Sequence, residues 1–411
     1  MTSKPTRTLS KSRLRSAWVD SRDSTGNAGR PGIDNVTGAA FAANLDYNLD
    51  VLATRLRKGH YGPSQLKAVF IPKPNSDKER MICIPTISDR LVQRAIAAYL
   101  QRTKKFPIYN SSSFGFLPEL GTQAAIDAAV RYRDSFDWCL KTDIESFFDS
   151  IPRQYLKSRV ERALHRHSLT PIIAKIIDCE VQITRQNRTK IQRQGIHRGA
   201  GIRQGMPLSP ILANLVLAEF DRRIEKRRLK MVRYADDMAI FVSTKKEAQE
   251  AHQFVTTALS ELKLTIPGLG DASKTQILGP DDPVDFLGRE VLRVGDDRRA
   301  VWRVSQKQIA KISRKLEDEY NLQTRLKEDS TLQETMVEVW SSIASYFSIY
   351  KGAYNFVSLD SALRGTSRKI ISNILLDIFG EHALSRITPD QAKFLGLKLL
   401  EFDEANSSIM T

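Results

Sequence analysis

Met231-Val-Arg-Tyr-Ala-Asp-Asp-Met-Ala-Ile-Phe-Val242 places two adjacent acids between two apolar runs. Apolar runs on either side of a short polar break read as a hairpin whose tip presents Asp236 and Asp237. Asp is a common turn former, because its carboxylate accepts hydrogen bonds from nearby backbone, so the pair alone carries no chemistry. A third acid upstream changes its meaning. Leu140-Lys-Thr-Asp-Ile-Glu-Ser-Phe-Phe-Asp149 reads as a short strand running into a helix, which sets Asp143 where a strand ends and side chains face a cleft. Two-metal phosphoryl transfer needs carboxylates from separate strands to hold ions about 3.5–4 Å apart, one at the attacking hydroxyl and one at the leaving phosphate. Asp143 and Asp236 would be the bridging ligands. Hard oxygen donors suit Mg²⁺, here two ions, with Mn²⁺ as a substitute.

Outward from these strands the chain interleaves strands and helices without a regular alternation, the pattern of an α+β domain. Residues 1–30 hold seven Lys or Arg against two Asp and read as a basic arm and loop. Phe41, Leu45, Leu49, Leu52 and Leu56 keep a helical period as far as Gly59. Lys67 to Pro72 reads as a strand, and Asn75-Ser-Asp-Lys78 as a hairpin turn into Arg80-Met-Ile-Cys-Ile84. Helix returns from Arg90 to Leu100. Ser209-Pro210 reads as an N-cap with Pro at the first helical position, before the apolar run Ile211 to Leu217. Beyond Ala300 the pattern is almost wholly helical, with an amphipathic stripe at Leu332, Met336, Trp340, Ile343, Phe347 and Tyr350.

The 411 residues are enough for two or three compact units, and 41% hydrophobic residues exclude global disorder. The 63 Lys and Arg exceed the 47 Asp and Glu by 16 charges, which favours a polyanionic partner, nucleic acid first. Between Val181 and Gly205 the cations Arg185, Arg188, Lys190, Arg193, Arg198 and Arg203 stand without a single acid, which suits a nucleic-acid backbone. Lys307, Lys311 and Arg314 form a second basic stripe beside Ile309, Ile312 and Leu316. Such a stripe is equally the solvated face of a helix. Three dispersed cysteines offer neither a disulfide framework nor zinc spacing, and with no signal peptide or membrane span the expected compartment is the cytoplasm.

Tyr234-Ala-Asp-Asp237 resembles the signature of reverse transcriptases, and further blocks resemble theirs in the same order. Ile71-Pro-Lys-Pro74, Arg80, and Ile84-Pro-Thr-Ile-Ser-Asp-Arg90 with Gln93 are similar to the fingers blocks of the group II intron-like branch. Ser113-Phe-Gly-Phe-Leu-Pro118 resembles that branch's next block, with Leu117 where Arg is usual. Gly201-Ile-Arg-Gln-Gly-Met-Pro-Leu-Ser-Pro210 resembles the block under the incoming nucleotide, and Lys274-Thr275 and Phe286-Leu-Gly288 resemble the last palm blocks. As an ordered set the blocks are specific; singly they are weak.

The resemblance implies an α+β right-hand polymerase. A basic N-terminal extension over 1–60 would precede fingers over 61–135, a palm over 136–290 and a helical thumb with a C-terminal tail over 300–411. It implies an RNA-directed DNA polymerase with Asp143, Ile144, Asp236 and Asp237 at the metals. Lys73 and Arg80, flanking the hairpin turn, would reach the triphosphate. The Gly205 turn would let backbone approach a base pair, with the Gln204 amide on the sugar or base. Lys274 would protonate the leaving pyrophosphate, and Phe148 would stand against the 2′ position of the sugar, as Phe147 packs in the core. Expected partners are dNTPs, a structured non-coding RNA template and the DNA product, with a homo-oligomer allowed and no membrane. A stand-alone bacterial enzyme acting in antiphage defence is the reading adopted. A maturase-like RNA-binding protein and a template-independent DNA polymerase of the same fold are the alternatives.

Overall fold

The computed structural model describes residues 8–25, 30–72, 79–103, 106–380 and Thr388. The chain divides into two compact units, Met1–Asp282 and Pro283–Thr411.

The first unit begins with a correction. The basic arm is a helix, Lys11–Thr25, whose Leu14, Ala17 and Trp18 are buried, so cations at 11, 13 and 15 decorate a core element. The three- and four-residue spacing of those apolar positions is the cause. The period from Phe41 to Leu56 is split into Gly38–Ala43, capped by the Thr37 hydroxyl, and Leu45–Arg57. Leu49, Leu52 and Leu56 are each at most 2% exposed, so residues 1–60 contribute core rather than an appendage. Strands β1 (Lys67–Pro72) and β2 (Glu79–Ile84) pair antiparallel with Ile71 opposite Arg80. The turn between them, with Lys73, lies outside the described residues. Next, Thr86 caps the helix Ile87–Arg102 by accepting from the Asp89 N–H, and buried Asp89 in turn accepts from the Tyr61 hydroxyl at 2.8 Å.

A four-stranded antiparallel sheet is the centre of this unit. It consists of β3 (Trp138–Asp143), β4 (Lys230–Tyr234), β5 (Asp237–Val242) and β6 (Gln276–Leu278), in the order β4-β5-β3-β6. Leu140, Met238 and Ile240 are fully buried. Helices Thr122–Ser135, Ser209–Lys226 and Lys245–Ser260 contact the sheet's strands. Ser209 is not the N-cap: Leu208 holds that position, and the Ser209 hydroxyl donates to the Arg203 carbonyl at 2.8 Å.

The second unit opens with an antiparallel meander, β7 (Val284–Phe286), β8 (Arg289–Val294) and β9 (Arg299–Arg303). Phe286-Leu-Gly288 therefore lies beyond the border after Asp282, although the expected palm runs to 290. Helices Gln306–Glu319, Leu322–Lys327, Leu332–Tyr350 and Phe356–Phe379 follow. The expected stripe on Leu332–Tyr350 is largely displaced: the buried positions are Thr335, Val339, Ile343 and Tyr350, while Leu332 and Trp340 are exposed. No described helix is long and apolar enough to cross a membrane.

Candidate active site

The hairpin β4–β5 closes over Ala235 and Asp236, with Tyr234 opposite Asp237. Ala235 sits at φ 58°, a left-handed conformation that is uncommon for a residue with a Cβ and costs on the order of 1–3 kcal/mol. Three contacts hold it there. The Ile144 N–H donates to the Asp236 carbonyl at 3.2 Å, tying the tip to the end of β3. Gly115 presses against the turn so closely that a Cβ on it would lie 2.8 Å from the Ala235 nitrogen. Fully buried Arg233 donates to the Ala235 carbonyl at 2.8 Å.

The result is that Asp143, at the end of β3, and Asp236, at the hairpin tip, line one cavity of about 940 Å³. Arg80 from β2, Lys190, Arg193, Gln204, Phe148 and Lys274 line it too. Burial raises the Asp236 pKa above the ordinary carboxylate value, and the neighbouring charge of Asp143 adds to this. The Asp236 backbone N–H and the charges of Lys274 and Arg80 work in the opposite direction. The Lys274 ammonium donates to Asp143 Oδ2, so this carboxylate already attracts a cation.

Among the described residues, no three His, Cys, Asp or Glu gather closely enough to bind a metal by themselves. Two carboxylates sharing a cavity, with the Ile144 main chain beside them, still form a hard-oxygen set. That is what Mg²⁺ takes from a protein when its other ligands are waters and substrate phosphates. The donor set therefore fits the ion.

Other expected residues divide. Asp237 stands opposite Asp143 in the β3–β5 register, but its carboxylate is engaged by the Lys141 ammonium and does not line the cavity. It is thus the cross-strand neighbour of Asp143, with its carboxylate already held by a cation. Gly205, at φ 100°, makes its close approach to β2 instead of toward the cavity: a Cβ there would lie 2.6 Å from the Cys83 carbonyl oxygen. The Cys83 N–H donates to the Gln204 carbonyl at 2.7 Å across the same contact. Arg203 is a correction. It is 2% exposed and donates to Glu180 at 2.8 Å, so it is a buried structural cation unable to meet a nucleic acid. Arg185, Arg188, Lys190, Arg193 and Arg198 are exposed, as are Lys307, Lys311 and Arg314 on the helix Gln306–Glu319. Phe147 is buried, as expected, and Phe148 is half-buried against the cavity.

Sequence reasoning missed Arg233 and its partner Asp221, an ion pair with both side chains 0% exposed. A signal was available: Arg233 is a charge inside an apolar strand, and Asp221 falls on the helix face of Leu217, Phe220 and Ile224. Such charges are rarely buried unless paired.

Residues 71–291 match the family described as reverse transcriptase (RNA-dependent DNA polymerase). Among known proteins the chain is similar to protein YkfC of Escherichia coli strain K12, with 28% identity over 317 residues covering 66% of this chain and 78% of YkfC. It is also similar to the group II intron-encoded protein LtrA of Lactococcus lactis subsp. cremoris, with 27% identity over 179 residues, 43% of this chain and 28% of LtrA. Among solved structures, telomerase from Candida albicans aligns over 91% of this chain and 68% of its own, with 12% identity and a TM-score of 0.45.

Proposed function

The chain belongs to the reverse transcriptase family, and on that premise we propose that its cavity joins deoxynucleotides to a 3′-hydroxyl by two-metal phosphoryl transfer on a bound RNA. Membership makes it an RNA-directed DNA polymerase of α+β right-hand fold with a helical C-terminal region. The observation that carries the finer reading is the delivery of Asp143 from the end of a strand and Asp236 from a hairpin tip into one cavity, with the cations Arg80, Lys190 and Arg193 around the same space.

Asp143 and Asp236, with the Ile144 main-chain carbonyl, would hold Mg²⁺, which when bound supplies Lewis-acid activation of the hydroxyl and charge stabilisation at the phosphate. Arg80 neutralises triphosphate charge from the other side, joined by Lys73. Lys274, with 69% of its side chain exposed, would give a proton to departing pyrophosphate. Phe148 offers an apolar wall to the sugar, where a 2′-hydroxyl finds no partner. Gln204 meets the base or sugar. The exposed cations over 185–198 and at Lys307, Lys311 and Arg314 bind nucleic-acid backbone, so affinity falls steeply with salt. Fingers over 61–135, a palm beginning at 136 and a thumb from about 300 remain the domain assignment. Support for a structured non-coding RNA, a cytoplasmic site and a role in antiphage defence is the resemblance to stand-alone bacterial enzymes.

The test is primer extension by purified protein on RNA, with dNTPs and Mg²⁺, beside Asp236→Ala. Incorporation by the wild type and none by the variant is the expected result; equal incorporation overturns the metal assignment. Phage plating on cells carrying either form decides the defence role.

A further inference from the structure

We infer that Arg233 is a positioning residue, whose guanidinium fixes the peptide that presents Asp236 to the cavity. The inference rests on the polymerase reading above and adds the device that keeps its carboxylate in place.

Arg233 is 0% exposed on an edge strand of the sheet. A guanidinium carries five N–H donors in a planar fork, and here each has an acceptor. Nε donates to Asp221 Oδ1 at 2.8 Å. One terminal nitrogen donates to Asn214 Oδ1 at 3.2 Å and to the Ala235 carbonyl at 2.8 Å. The other donates to the Ser113 hydroxyl at 2.9 Å and to Asp221 Oδ2. Four of the five acceptors lie on other elements, namely the helix Ser209–Lys226 and the segment around Ser113. The fifth is the carbonyl of the residue at positive φ, immediately before Asp236.

The surroundings extend the grip. Asn214 also donates to the Gly115 carbonyl at 2.8 Å, and Gly115 is the residue packed on the Ala235 nitrogen. Asp221 also accepts from the Asn110 amide at 3.0 Å. The Arg233 backbone N–H donates to the Ser112 carbonyl, and the Phe114 N–H donates to the Arg233 carbonyl, so residues 112–114 cover the free edge of β4. Both sides of the Ala235 peptide unit are thereby set by groups that never enter the cavity.

Lysine cannot substitute, since a single ammonium cannot span the bidentate carboxylate and a carbonyl on the far side of the fork. Simple truncation strands the Asp221 charge and invites unfolding. The informative variant is therefore Arg233→Met with Asp221→Leu, which removes both charges and fills the space, with Arg233→Lys as a second variant that keeps the charge.

Hydrogen exchange over residues 231–242 and steady-state dNTP incorporation are measured on each full-length protein. The double variant is expected to melt cooperatively, to exchange faster at the hairpin tip, and to lose on the order of a hundredfold in kcat. Its KM for dNTP should hold while the Mg²⁺ concentration giving half-maximal rate rises. Arg233→Lys should show the same pattern in weaker form. Unchanged exchange at the tip, or a kcat within about threefold of wild type, overturns the inference. A wild-type protein that incorporates nothing refutes the polymerase reading instead, and the exchange measurement still decides whether Arg233 holds the tip.

Discussion

Two hairpins border the cavity, and they are built differently. In β4–β5 almost every residue from Met231 to Val242 is buried, and the tip is fixed by Arg233, Gly115 and Ile144. In β1–β2 the burial is partial, with Ile71 48% exposed and Arg80 open to solvent, and the hairpin rests on the Gly205 turn through the Cys83–Gln204 bond. Each hairpin is seated on a glycine that no larger residue could replace without displacing backbone. Asp236 thus sits on an element with no freedom to adjust, tied to the strand that ends at Asp143, whereas the cation facing them sits on one with a free face. A metal pair needs fixed ligand geometry. A triphosphate that arrives and leaves needs a side that gives.

The contrast fails first if the two sides matter alike. Asp236→Ala or Asp143→Ala should cut kcat by on the order of a thousandfold or more in primer extension, with the fold retained by circular dichroism. Arg80→Ala should cost about ten- to a hundredfold, mostly in KM for dNTP, because a long side chain on a half-exposed strand binds charge in ground and transition states alike. Equal kcat losses for Asp236→Ala and Arg80→Ala would erase the distinction between a fixed and an adjustable side.

Phe148 sharpens the contrast, because it lines the same cavity from neither hairpin. Phe148→Ala should raise ribonucleotide relative to deoxynucleotide incorporation by about tenfold, the scale of a contact in an apolar pocket, with the metal dependence unchanged. If the ring is only packing, single-nucleotide assays will show unaltered sugar selectivity beside a fall in melting temperature of the size that core truncation brings.

The smallest effect concerns the base of the adjustable hairpin. Glu180 accepts from the Leu66 N–H through its main chain, and its carboxylate takes Arg153, Arg203 and the Gly199 N–H. Burial works to raise this carboxyl, but the bonds from Arg203 and Gly199, the Arg203 charge and the Arg153 bond outweigh it and hold the pKa below its ordinary value. A lowered folded pKa contributes stability above the unfolded pKa and loses it as pH falls through the folded one. Glu180→Gln should therefore destabilise by about 1 kcal/mol near neutral pH, with the deficit against wild type fading as pH falls through and below the ordinary carboxylate range. Paired thermal melts across that range check it; a deficit that stays constant with pH would mean the charge contributes nothing.

The sequence was most legible where side-chain period and burial agree. The hairpin at 231–242 and the strand ending at Asp143 follow from short apolar runs buried on both faces, and the line Ile309, Ile312 and Leu316 follows from helical spacing on one buried face. The helix at 11–25 escaped because charge density drew attention away from its apolar spacing. On Leu332–Tyr350 there are more apolar residues than the buried face uses, so period alone chose the wrong line. Arg203 shows the limit of counting cations: in an irregular segment nothing in the spacing says which charge turns inward, and Glu180, the acid that draws it in, lies just outside the acid-free stretch. Arg233 was missed for the opposite reason. A single charge amid apolar residues was read as part of a motif, when its isolation was the clue.

The pairing of Asp143 with Asp237 also restricts how this chain can change in length. Side chains alternate across a strand, so one residue inserted or deleted between Tyr234 and Asp237, if taken up as a shift in pairing, would turn the whole of β5 over against β3. Met238 and Ile240 would trade faces with Ala239 and Phe241, two buried sets of different volume, and the Asp236 peptide would lose its seat on Ile144. The exposed stretch 296–298 between β8 and β9 sits at a hairpin end, where an extra residue lengthens the turn without inverting a buried strand. Insertions and deletions in homologous chains should accordingly collect in that stretch and spare the two-residue tip.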